Sequence, residues 1–149
     1  MILVDVNLLV YSWDRRAARH EVSRRWLDER LNGDRRVGLP WESVTGFMRV
    51  VTNPRIYSEP AAVGAAWAQA REWLACENVW IPVPGHDHEA ILGDLLPHLG
   101  GGANLIPDAH LAALAIGHGL KLCSTDGDFA RFPGLRWENP LDPGQSARK

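Results

Sequence analysis

A parallel α/β sheet of about five strands, flanked by helices on both faces, is the fold the sequence predicts, and three observations predict it. Short apolar runs recur without the alternation of a half-exposed strand, as in strands buried on both faces. Stretches of helical periodicity separate them, which makes successive βα units. The 149 residues are 46% hydrophobic and 23% charged, enough apolar material for one core and too little charge for a disordered chain.

Ile2-Leu3-Val4 reads as the first strand. A helix begins over Asn7 to Tyr11, and a clearer one runs from His20 to Leu31, stopped by Asn32-Gly33. Val37-Gly38-Leu39 is a second strand, closed by Pro40. Glu42 to Val51 is a helix with Val44, Phe47, Met48 and Val51 on one face, ended before Pro54. Ala61 to Leu74 is an alanine-rich helix carrying Trp67 and Trp73 on its apolar side. Val79-Trp80-Ile81 is the third strand, and Asp87 to Leu96 a helix weakened by Gly93. After the joint Gly100-Gly101-Gly102, Pro107 takes the first turn of a helix reaching His118-Gly119. Leu120 to Cys123 is the fourth strand and Leu135 to Trp137 a weak fifth. The whole, residues 1–149, reads as one domain with residues 140–149 a loose tail.

Composition excludes several classes. A net charge of −2 gives no global basic field, although the first sixty residues are net basic through arginine. The start Met1-Ile2-Leu3-Val4-Asp5 lacks the basic region of a secretory leader. No run approaches the ~20 apolar residues of a membrane span. Two cysteines, one inside an apolar strand, read as free thiols in a reducing compartment. The expectation is a cytoplasmic protein.

Four acids carry the chemistry. Asp5 follows the first strand, Glu42 comes just after the second, Asp108 lies in the first turn of the Pro107 helix, and two residues separate Asp126 from the fourth strand. In a parallel sheet those positions meet outside the carboxyl ends of the strands. One such acid is ordinarily a cap or a surface charge. Four together repel unless a cation offsets them, and all-oxygen ligands favour Mg²⁺, Mn²⁺ or Ca²⁺ over zinc. Asp128 competes with Asp126 for the fourth place. Asp126 is preferred because it stands closer to the strand end.

Asp5-Val6-Asn7, Glu42, Pro107-Asp108-Ala109-His110 and Ser124-Thr125-Asp126-Gly127-Asp128-Phe129 resemble the motifs of PIN-domain nucleases, in the same order. Arg49-Val50-Val51-Thr52-Asn53-Pro54-Arg55 and Phe129-Ala130-Arg131-Phe132-Pro133-Gly134-Leu135 resemble the VapC toxin branch. The resemblance covers about residues 1–139. It implies a single PIN-like domain and a Mg²⁺-dependent endoribonuclease, with Mn²⁺ able to substitute, that hydrolyses RNA phosphodiester bonds by metal-activated water. It also implies neutralisation by a VapB-type antitoxin and a homodimer. Carried onto matching positions, it makes Asp5 and Asp108 the direct metal ligands. Glu42 and Asp126 complete the catalytic set, holding water or a second ion. Two rival readings are a catalytically silent PIN scaffold that binds RNA or protein, and a strand-end-aspartate phosphatase. The phosphatase needs a second acid two residues after Asp5, where the chain has Asn7.

The remaining signals read as structural. His86-Asp87-His88 lies away from the strand ends, and His110 stands about 200° around the helix from Asp108, facing another element. Trp67 and Trp73 read as core or partner interface. Arg15, Arg16, Arg19, Arg24 and Arg25 form either a solvated basic face or a guide for RNA or an acidic partner segment. Ser124 and Thr125 cap the turn or orient Asp126.

Overall fold

Five short strands lie parallel in the computed structural model, which describes residues 1–142, 144 and 146–147. They are β1 (Ile2–Val4), β2 (Val37–Gly38), β3 (Val79–Trp80), β4 (Lys121–Cys123) and β5 (Trp137–Glu138). A sixth, β6 (Ser146–Ala147), pairs antiparallel with β5, and the sheet order is β3-β2-β1-β4-β5-β6. The chain first builds outward from β1 to β3, then returns to lay β4 on the other side of β1. The boundary between β1 and β4 is therefore the switch point, where open α/β sheets leave a crevice.

Among the described residues six α-helices connect the strands: α1 (Val6–Trp13), α2 (His20–Leu31), α3 (Trp41–Val51), α4 (Val63–Leu74), α5 (His88–Leu95) and α6 (Ile106–Gly117). They cover both faces because successive strand residues point opposite ways. Leu3 and Leu122 join a core with α5 and α6, whereas Val4 and Cys123 join one with α1, α3 and α4. The second core is tight at one point. A Cβ added to Gly46 would stand 2.5 Å from Val6 Cγ2, so α3 reaches α1 at that depth only through glycine.

The structure trims several expectations. Leu39 still donates to the Trp80 carbonyl at 2.9 Å, but Pro40 and Pro82 curtail β2 and β3. Helix α4 starts at Val63 because the Ala61 amide is taken by the Val51 carbonyl at 2.8 Å. Within the tail expected to be loose, Ser146–Ala147 pair with the outer edge of β5. Residues 143, 145, 148 and 149 of that tail lie outside the described residues. Trp73 is core, but Trp67 is exposed and stacked on Trp41, with ring centroids 6.5 Å apart. The buried stripe of α4 is only as wide as Ala66, Ala70 and Trp73. No helix among the described residues is long and apolar enough to cross a membrane.

Candidate active site

One wall of the switch-point crevice is built from strand ends. The β1–β4 ladder continues one step past β1, where the Asp5 amide donates to the Cys123 carbonyl at 3.0 Å. That register sets Asp5 beside Ser124. The Ser124 hydroxyl donates to Asp5 Oδ2 at 2.7 Å and accepts from Asn7 Nδ2 at 3.1 Å and the Asp126 amide at 3.0 Å. A hydroxyl has one proton and two lone pairs, so this buried group is fully used. Asp5 also caps α1 by accepting from the Val6 amide at 2.8 Å. Burial pushes the Asp5 carboxyl above its ordinary range; the Ser124 and Val6 bonds pull the other way, and Asp126 adds repulsion.

Above Asp5, three carboxylates converge. Asp108, Asp126 and Asp128 each offer an oxygen, and these lie within 4.8 Å of one another. Asp108 arrives from the first turn of α6, the other two from the start of a 3-10 turn at Gly127–Arg131, where the Asp128 amide donates to Asp126 Oδ1 at 2.9 Å. The Asp108 carboxyl is pushed up to about 6, first by burial and then by Asp126, Asp5 and Asp128, with Arg131 opposing. Arg131 itself is paired with Asp128 at 3.1 Å. This is a set of hard oxygen donors with too little positive charge of its own, and it fits a hard divalent cation.

The facing wall is helical. Glu42 stands in the first turn of α3, whose start is pinned to the end of β1 by Ser43 Oγ donating to the Val4 carbonyl at 2.6 Å. The Glu42 carboxylate accepts from His110 Nε2, and His110 Nδ1 lies 3.1 Å from His88 Nε2. Burial and the neighbouring His110 hold the His88 imidazole below its ordinary range, against the opposing pull of Glu42 and Asp87. A groove of about 460 Å³ is lined by Asp5, Glu42, Asp108 and His110, and also by Tyr11 and Arg49. Seven residues along α3 from Glu42, Arg49 returns to nearly the same helix face roughly 10 Å further on. Among the described residues it is the only Lys or Arg lining this groove, and it is exposed.

Of the four acids singled out by the sequence, Asp5, Glu42 and Asp108 line this groove and Asp126 meets Asp108 at its edge, where Asp128 joins Asp126 rather than replacing it. The tightest oxygen cluster contains Asp108 but not Asp5, which lies beneath it. None of the five early arginines lines this groove. Helix α1 carries the chain about 12 Å from Asp5 before they begin. His88 was expected to be remote, yet the packing of α5 on α6 brings it to His110. No local pattern announces that contact. Ser124 was expected to cap the turn or orient Asp126; it does accept from the Asp126 amide, and its bond to Asp5 comes in addition.

With this geometry in hand, similarity to known proteins is informative. The PIN domain family profile matches residues 2–135. The chain is 41% identical over 140 residues to Ribonuclease VapC37 of Mycobacterium tuberculosis, covering 94% of this chain and 97% of that protein. It is 37% identical over 141 residues to Ribonuclease VapC33 of the same species, covering 95% and 99%. In backbone it resembles a structure of VapBC2 from Rickettsia felis bound to a promoter DNA fragment, with a TM-score of 0.67, 17% identity and 93% and 98% of the two chains covered. A structure of FitAB bound to a DNA fragment gives 0.66, 20%, 95% and 96%. At those identities the two structures speak to the fold alone. The profile and the near full-length relatives reach further: this chain belongs to the PIN-domain family, among the VapC proteins.

Proposed function

We propose that this protein is a divalent-cation-dependent endoribonuclease, the toxin of a VapBC-type pair, which hydrolyses RNA phosphodiester bonds in the cytoplasm. The observation that carries the reading is the convergence of Asp126 and Asp128 on Asp108, which lines one groove with Asp5 and Glu42. The names of its relatives supply the substrate class.

Asp108, Asp126 and Asp128 would hold the cation, with Asp5 completing its shell. When bound, Mg²⁺ or Mn²⁺ supplies Lewis-acid stabilisation of phosphoryl oxygens and lowers the pKa of coordinated water. The rest is done by the chain. Ser124 keeps Asp5 turned into the crevice. Glu42, on the opposite wall, accepts a hydrogen bond from the attacking water and orients it. Arg49 offers a guanidinium to the RNA backbone, which the carboxylates would otherwise repel. A VapB-type antitoxin is the partner this reading implies, and a homodimer the assembly.

The test is single-turnover cleavage of total cellular RNA by purified protein with Mg²⁺, Mn²⁺ or EDTA. Wild type should cut only with the cation. Asp5→Asn and Asp108→Asn should each lose at least ~10³-fold while keeping the wild-type circular dichroism spectrum. Undiminished cleavage by either variant refutes the assignment, and Mn²⁺ binding without cleavage leaves a binding module instead.

A further inference from the structure

Glu42 differs from the other acids in that a histidine holds its carboxylate. Its side-chain partner is His110 on α6, and His110 is gripped from behind by His88 at the start of α5. The two rings sit 4.9 Å apart at 72°, edge to face. Three elements from distant parts of the chain therefore each contribute one group to a linear chain.

Hydrogen-bond chemistry gives that chain a direction. A carboxylate only accepts, so His110 presents Nε2–H to Glu42. In the neutral ring Nδ1 is then an acceptor, and the neighbouring His88 supplies Nε2–H to it. One Glu42 oxygen is engaged by His110. The other is left for the groove that Glu42 lines with Asp5 and Asp108.

We propose that His110 is the positioning residue for Glu42, and that His88 fixes the His110 tautomer, so that the pair aims the free Glu42 oxygen into the RNA groove. This rests on the ribonuclease reading above. Such a partner fixes ring orientation and carboxylate direction in the way outer partners fix metal-site ligands, where their loss typically costs 10- to 100-fold. A merely structural histidine would pin α6 to α3 and act on stability alone.

Kinetics and spectroscopy separate these roles. In single-turnover cleavage at saturating protein, His110→Ala should slow the cut by ~10- to 100-fold while half-saturation moves less than about threefold. His110→Gln, which keeps an amide donor near the Nε2 position, should recover most of the rate. In a Glu42→Ala background the His110→Ala loss should vanish, since a residue acting through another adds nothing once that partner is gone. His88→Ala should give a smaller loss than His110→Ala.

Long-range ¹H–¹⁵N spectra of cation-free protein at pH 8 supply a readout independent of cleavage. His110 should be protonated at Nε2 and bare at Nδ1 in wild type, and lose that single-tautomer signature in His88→Ala. Full-rate cleavage by His110→Ala, losses that multiply in the double variant, or a His110 proton on Nδ1 would each overturn the inference. If wild type cuts no RNA, the ribonuclease reading falls, and the spectra still decide whether His110 is held as stated.

Discussion

The two walls of the crevice hold their acids by opposite means. On the strand wall, Asp5 and Ser124 are set side by side by sheet register alone, and one buried hydroxyl serves Asp5, Asn7 and the Asp126 amide. On the helical wall, Glu42 depends on imidazoles delivered by α6 and α5. Adjacent strands repeat at ~4.8 Å, so groups at their ends are placed by the backbone. A helix start is placed only as well as its packing. The strand wall inherits its geometry from the fold, and the helical wall has to assemble it from side chains.

That contrast can be broken from either side. Of the three substitutions that bear on this contrast, Ser124→Ala has the largest expected effect: the hydroxyl is fully buried and has three partners inside the protein. Cation affinity, read by Mn²⁺ titration calorimetry, should fall ~10- to 100-fold, with stability lowered by ~1–3 kcal/mol. Wild-type Mn²⁺ affinity in this variant would show that register alone suffices.

Arg49→Ala addresses the far end of the helical wall. RNA affinity should weaken several-fold, and the slope of log affinity against log salt should fall by about 0.7, the value for one contact to a single-stranded phosphate. An unchanged slope would mean that the RNA does not follow α3 out of the crevice.

The smallest effect is in stability, and its sign is specific. The Asp108 carboxyl is raised in the folded state, from 3.8 to about 6, so its stabilising contribution is complete below pH ~4 and is lost as pH rises through ~6. In EDTA, Asp108→Asn should therefore be more stable than wild type at pH 7.5, by about 1 kcal/mol after allowance for solvent screening. The two should converge at pH 4, as read by urea unfolding. Mn²⁺ should stabilise wild type and not the variant.

Most of the fold was legible because its signals are local. Ile2–Val4 and Lys121–Cys123 are continuous apolar runs broken at once by an acid or a hydroxyl, and Pro107 marks a helix start. The return of Ser146–Ala147 was not legible, since two small residues carry no strand signal and the pairing is set by the open edge of β5. The meeting of Asp5, Glu42, Asp108 and Asp126 followed from strand ends sharing an edge. Asp126 and Asp128 looked like rivals because spacing was weighed without the 3-10 turn that brings both inward. The His88 and His110 pairing had no signature at all, because it is decided by how α5 lies on α6.

The switch-point topology also has a consequence in time. Asp5 emerges from the ribosome among the first residues, yet the hydroxyl that holds it and the acids above it are 103 to 123 residues behind. Until β4 and the following turn are made, β1 lacks one neighbour and the crevice lacks a wall. The acidic cluster is complete only once residue 128 has been made, so the order of synthesis puts Asp5 first and the groups that meet it last.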